Sequence, residues 1–327
     1  MSVFSAELAE HPPTTRRALL QDAAGGMDHL HVGDHVTFHN GYGWDGLINA
    51  AALLNLQDEL PVHLGIYQLP LRHPTTVARQ LSTLHESHPG RLVFGVGVGG
   101  DDPKEMLACG VDPRTRGKRM DESLQILRGL LSGRPTTFAG AMFDLTEVTI
   151  EPAAPDLPIL VGGRSDSALR RTGRHGDGWV GIWISADRFA SAVNQVADEA
   201  RRVGRTVAGW EHNITIWCGL GDNRKRAARA VADEMRTIYR LEPEVFSRWC
   251  PAGPPEAIAE FTLPYLQAGA TSVSLIARGQ DIEHTIQSIA QIRTLIHDAV
   301  TSSRAADRAL PARANSRPTE WVPEIGS

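Results

Sequence analysis

Apolar positions along this chain switch repeatedly between two patterns. Short unbroken apolar runs, several ending in glycine, predict strands over residues 2–8, 30–33, 62–68, 92–97, 158–162, 178–184, 213–220 and 272–277. Between them, apolar residues return every three to four positions. They predict helices over residues 14–24, 44–56, 74–85, 114–131, 186–203, 256–267 and 281–297, with two more opening at Ser165 and ending at Tyr239. Met120, Leu124, Leu127 and Leu131 fall on one helical face, as do Phe189, Val193, Val196, Ala200 and Val203. Residues 138–150 read as a small hairpin inserted in this alternation.

Eight strand–helix units imply parallel strands with right-handed crossovers. The expected fold is therefore α/β, a single-domain (β/α)₈ TIM barrel over residues 1–300 with insertions. A doubly wound open sheet is the competing arrangement. From Thr301 to Ser327 the chain is polar and lacks period, and is expected to be a loosely ordered tail.

Composition narrows the function. The chain has 327 residues, 42% hydrophobic and 22% charged, with a formal net charge of −5. That balance argues against a nucleic-acid surface. The basic cluster Arg224-Lys225-Arg226, in phase with Arg229, reads as a solvated helix face. Cys109, Cys218 and Cys250 have neither an even count nor metal-ligand spacing, which fits reduced thiols and a cytoplasmic protein. The first residues do not form a secretory signal, and no apolar run is long enough for a membrane span.

In a barrel, chemistry sits at the carboxyl ends of the strands. After the second predicted strand comes Asp34-His35, an acid–imidazole pair placed for proton handling, with His39 a secondary candidate. In the third strand, Gly65-Ile66 breaks the alternation and marks a bulge or a close approach of backbone to ligand. Arg72, before Pro74, reads as structural. The fourth strand ends in Gly95, Gly97, Gly99 and Gly100. Asp101-Asp102-Pro103 then stands where a dinucleotide-binding helix would open, so these glycines are better read as space for a flat ring. Gly162, Gly163, Arg164 and Ser165 form an anion site at a helix start. Trp179 and Trp183 either wall a pocket or pack. Trp44, Trp183 and Trp249 are compatible with an apolar or aromatic substrate. Residues 101–113 and 241–255 are candidate lids. Two other readings are a metal-dependent hydrolase using His29 and His31, one residue apart on a strand, and a non-catalytic binding barrel.

Taken in order, several segments resemble the bacterial luciferase-like monooxygenase superfamily of flavin- or deazaflavin-dependent oxidoreductases. They are Gly33-Asp34-His35, the run Leu69 to Pro74, the run Gly95 to Gly100, Gly110-Val111 with Arg119 to Glu122, the run Pro158 to Gly163, Gly176 to Trp179, and Gly253 to Glu256. The resemblance implies a barrel that binds reduced FMN or a deazaflavin coenzyme at its carboxyl face and acts on a small organic substrate by monooxygenation or hydride transfer. It implies a non-proline cis peptide at Gly65–Ile66 and maps the catalytic histidine onto His35, with Asp34 beside it. Coenzyme contacts are implied at Gly65, Ile66, Gly97, Gly99, Gly162, Gly163, Arg164, Ser165 and Trp179. The Asp34-His35 pair is more similar to the deazaflavin users. One departure is that the acid those sugar dehydrogenases carry after strand four is here Gly100, next to Asp101. A homodimer and a separate flavin reductase are the partners the resemblance allows.

Overall fold

In the computed structural model, residue 8, residues 11–41 and residues 43–309 are described. Ten strands are formed: β1 (Leu30–Val32), β2 (Val62–Gln68), β3 (Leu92–Gly97), β4 (Thr136–Ala139), β5 (Asp144–Val148), β6 (Ile159–Gly162), β7 (Gly178–Ile182), β8 (Glu211–Leu220), β9 (Ala252–Gly253) and β10 (Ser272–Arg278). The principal sheet runs β1-β2-β3-β6-β7-β8-β10, every pairing parallel, with β9 added beside the end of β8. This order follows the chain without reversal, as a barrel requires and a doubly wound sheet does not. Across the seam between β10 and the start of β1, His29 Nε2 meets Ser274 Oγ at 3.1 Å. The expected strand at residues 2–8 lies outside the described residues except for Leu8, which is buried in the core. β4 and β5 form the antiparallel hairpin anticipated within residues 138–150.

The helices begin where capping residues stand. Asp45 accepts from the amides of Leu47 and Ile48 to start Gly46–Leu56, and Ser165, Ser185 and Asn223 cap the helices that follow β6, β7 and β8. Proline opens Pro74–Ser87 and Pro255–Gln267. The last helix runs Ile282–Ala309, beyond the tail boundary expected at Thr301. Ala and Arg favour helix there, and no breaker precedes Pro311. The rest of the expected tail is outside the described residues.

Strand alternation divides the core. Leu92, Phe94, Val96, Ile159 and Val161 pack under the helices, while Val93, Leu160 and Val180 cluster separately with Ile66 inside the barrel. The opposite half of the interior is polar. Asn213 Nδ2 donates to Ser272 at 2.9 Å and to Ser274 at 3.1 Å, and His29 stacks on His63 at 3.9 Å.

Glycines on β3 make room for the protein's own chain. The peptide Gly65–Ile66 is cis, and the β2–β3 register shifts between Leu64 and Tyr67. A Cβ on Gly95 would lie 2.0 Å from the Leu64 carbonyl oxygen, and one on Gly97 would lie 1.8 Å from Ile66 Cδ1. The β2 bulge thus fills the volume that β3 leaves open. Gly95→Ala is accordingly expected to destabilise the fold by about 2–3 kcal/mol, because backbone rather than a flexible side chain must yield. Urea unfolding measures it, and a midpoint equal to the parent's contradicts the packing.

Candidate active site

At the carboxyl ends of the strands lies a cavity of about 960 Å³, counted out to its open mouth. Its floor and one side carry His31, Asp34, His35, Gln68 and Thr215. The other side carries Ile182, Trp183, Trp217, Ile238, Tyr239 and Ile276.

Asp34 is covered completely. Its Oδ1 accepts from the Gly46 amide at 2.9 Å and from Arg72 Nη2 at 2.8 Å. Its Oδ2 accepts from the Gln68 amide at 2.9 Å and from Arg72 Nη1 at 2.6 Å. Burial pushes the carboxyl up, while the guanidinium and the two amides pull the other way. Four donors on two oxygens are the partners of an ionised carboxylate. Arg72 also reaches Asp45 and lies over the Tyr67 ring at 4.4 Å, so it is structural as expected. This geometry makes Asp34 the anchor of the loop that carries His35.

His35 is held by Glu105, from the helix Pro103–Ala108. Its Nδ1 lies 3.2 Å from Glu105 Oε2. The same carboxylate accepts from the Val36 amide at 2.6 Å, the Thr37 amide at 3.2 Å and Gln68 Nε2 at 3.0 Å. Glu105 is 1% exposed. Burial opposes its ionisation, but the bonds from His35, Gln68 and the Val36 amide outweigh this and hold the carboxyl at about 2.

The contact with Glu105 orients the imidazole. Gln68 Nε2 lies within hydrogen-bond distance of Asp34 O, at 3.1 Å, of Glu105 Oε2 and of His35 Nδ1, both at 3.0 Å. A carboxylate oxygen can only accept, so Nδ1, which faces it at 3.2 Å, is the donor of the His35–Glu105 bond, and Nε2 is the ring nitrogen left outside it. Nε2 makes no hydrogen bond among the described residues. Phe38 stacks on His35 at 4.0 Å and tilts against His39 at 4.2 Å. The His39 amide donates to Asp102 at 2.8 Å.

The other expected contacts divide. Gly65, Ile66, Gly99, Gly162 and Gly163 line the cavity. Gly97 faces Ile66 instead, and Gly162 also packs on that side chain, so Ile66 stands as a pillar between two strands. At Gly99, where φ is +61°, a Cβ would strike Gln68. Arg164 is exposed, 5.9 Å from the Trp183 ring. The Ser165 hydroxyl is occupied in capping the Ala168 amide. Trp179 is 1% exposed and does not wall the cavity; its Nε1 donates to the Gly163 carbonyl at 2.8 Å and steadies that loop from behind. Glu105, Gln68, Trp217 and Tyr239 were not singled out by sequence. Glu105 sits inside the stretch expected to be a lid, and only its burial reveals its task.

His29 and His31 do share the barrel interior. His29, however, stacks on His63 and bonds Ser274, while His31 packs against Gly65. No group of three His, Cys, Asp or Glu side chains among the described residues is arranged to hold a metal ion. No helix among them is long and apolar enough to cross a membrane.

The chain is similar to known proteins. The sequence profile described as luciferase-like monooxygenase matches residues 9–248. An uncharacterized Mycobacterium tuberculosis protein is 37% identical over 203 residues, 59% of this chain and 68% of its own length. The 4-hydroxyprotoasukamycin monooxygenase of Streptomyces nodosus subsp. asukaensis is 26% identical over 64% of this chain and 59% of its own. The F420-dependent glucose-6-phosphate dehydrogenase of Nakamurella multipartita is 25% identical over 68% of this chain and 75% of its own. Among solved structures, an F420-dependent secondary alcohol dehydrogenase bound to an F420–acetone adduct superposes with TM-score 0.79 at 19% identity, covering 90% of this chain and 98% of that one. The oxygenating constituent of 3,6-diketocamphane monooxygenase from Pseudomonas putida, in complex with FMN, gives 0.67 at 16% identity, covering 90% and 96%. These two likenesses show that the fold is shared with those enzymes.

Two outcomes follow from the geometry. Glu105→Gln removes the charge that holds His35 and is expected to lower kcat about 10²-fold with coenzyme affinity unchanged, since a loosened imidazole is misplaced for proton transfer; equal kcat in steady-state assays contradicts it. Burial also holds His31 at about 4 and His63 at about 3, so both stay neutral in the folded state. The unfolded chain takes up these protons below about 6.5, so stability is full above that pH and falls on acidification by about 1.4 kcal/mol per unit per histidine. Urea midpoints that do not drop between pH 7 and pH 5 exclude this.

Proposed function

The chain belongs to the luciferase-like monooxygenase family, and within it we propose a deazaflavin-dependent oxidoreductase that moves a hydride to or from an oxygen-bearing carbon of a small organic substrate. The observation that carries this reading is the His35–Glu105 pair: the imidazole lines the cavity while its Nδ1 is held by a buried carboxylate. Oxidising an alcohol requires a base for its hydroxyl proton, and reducing a carbonyl requires that proton back. An imidazole with one nitrogen fixed on a carboxylate and the other outside that bond serves both directions.

The cavity fits a coenzyme of this class. Ile66, Val180 and Ile182 give apolar walls for a planar ring, and Gly162 and Gly163 line the same cavity. Arg164 makes no ion pair among the described residues and stands beside the amino-terminal turn of Asp166–His175, where an anionic tail is favoured. Because Ser165 caps that helix with its hydroxyl, the anion would be met by backbone amides and Arg164.

When bound, the coenzyme supplies or accepts the hydride. His35 takes the hydroxyl proton at Nε2 and returns it in the reverse direction, and Glu105 keeps the ring oriented and balances the imidazolium charge. The apolar wall excludes water from the reacting carbon.

A second reading is FMN-dependent monooxygenation. The same water-excluding wall favours it, and it would require a separate source of reduced FMN.

Binding titrations with F420 and with FMN, each oxidised and reduced, separate the two. Tighter binding of F420 and oxygen-independent turnover are expected. His35→Ala is expected to cut turnover about 10²–10⁴-fold while leaving coenzyme affinity within about twofold. Tighter FMN binding with oxygen uptake, or full turnover without His35, overturns the proposal.

A further inference from the structure

We infer that this cavity takes a neutral, largely apolar or aromatic alcohol or carbonyl compound and rejects anionic substrates such as sugar phosphates. The inference deepens the oxidoreductase reading above and rests on it.

Among the described residues no lysine or arginine lines the cavity. The charged side chains that do are Asp34, neutralised by Arg72, and Asp101 at the rim. A phosphate dianion entering would lose its water, find no cation and meet a like charge. The nearby guanidinium groups stand behind or outside this lining: Arg116 lies against Gly100 and donates to the Pro113 carbonyl at 2.7 Å. Arg278 lies 5.3 Å from the Trp217 ring but donates to Glu234 at 2.6 Å. Arg164 lies outside the wall, at the rim where the coenzyme's own anion is placed. The phosphorylated sugar named for the Nakamurella relative would therefore have no partner here.

In place of cations stands a preorganised aromatic wall. Tyr239 is its hub: Phe38, Trp183 and Trp217 each pack edge-on against it, at 5.5, 5.6 and 5.8 Å between centroids. Such edge-to-face pairs hold one another in place before a ligand arrives. Ile182, Ile238 and Ile276 complete the surface. The wall is braced against the proton-handling side from behind, because the buried Phe38 packs on both Tyr239 and the His35 ring. A substrate with its oxygen at His35 Nε2 has hydrocarbon surface to lay along Tyr239 and the two tryptophans.

Calorimetric titration of the full chain, with and without oxidised F420, uses acetophenone and glucose 6-phosphate as probes. Acetophenone is expected to bind at least tenfold more tightly. Tyr239→Leu, which keeps bulk and removes the aromatic hub, should weaken acetophenone about tenfold. Ile182→Arg, which puts a cation on the wall, should favour glucose 6-phosphate by at least tenfold relative to the parent. Glucose 6-phosphate binding as tightly as acetophenone to the parent, no detectable acetophenone binding, or indifference of acetophenone to both folded variants overturns the inference. The coenzyme titrations are read separately. Failure of F420 and FMN to bind, with the acetophenone preference intact, refutes the oxidoreductase reading and leaves the selectivity standing.

Discussion

One buried carboxylate organises the reactive end of this barrel. Glu105 collects four donors: His35 Nδ1, the amides of Val36 and Thr37, and Gln68 Nε2. An unpaired carboxylate in that position would be very costly, so the donors and the acid hold one another in a single arrangement. Three segments distant in sequence are tied by it: the loop after β1, the end of β2, and the short helix after β3. Asp34 performs the same service one residue earlier, binding Gly46, Gln68 and Arg72. Between these two acids the His35 backbone has little freedom, and its ring is left with one basic nitrogen.

The cavity beside it is made by an asymmetry in the barrel interior. On β3 and β6, glycines at 95, 97 and 162 are filled from β2 by the Leu64–Ile66 bulge, which keeps that side closed and apolar. On β8 and β10, the interior chains grow from hydroxyls and an amide into Trp217 and Ile276 toward the mouth. The aromatic wall stands there because the helix after β8 brings Tyr239 over it.

Much of this can be read in the amino-acid order, for a specific reason. The strand and helix periods place seven parallel strands, because each apolar run is packed from both sides and bounded by glycine, proline or a capping residue. His35, Arg72 and Gly163 stand after strand ends, and Gly65 stands out where it breaks a strand's alternation. Glu105 does not: a glutamate in a charged loop has no local mark of burial, and its partners lie 37 to 70 positions away. Gly97 misleads for the opposite reason. A missing side chain signals close approach, but sequence cannot say whether ligand or the Ile66 side chain approaches. Trp179 carries the same ambiguity, and packing decides it in favour of the core. The final helix overruns its expected end because polar residues without period can still be good helix formers.

The most direct test of the account is the protonation of His35 itself. Nitrogen-15 NMR of the folded protein near neutral pH, with His35 assigned by comparison with His35→Ala, distinguishes the two neutral tautomers. The account predicts hydrogen on Nδ1 and a bare Nε2. Hydrogen on Nε2, with Nδ1 unprotonated beside Glu105, would contradict it.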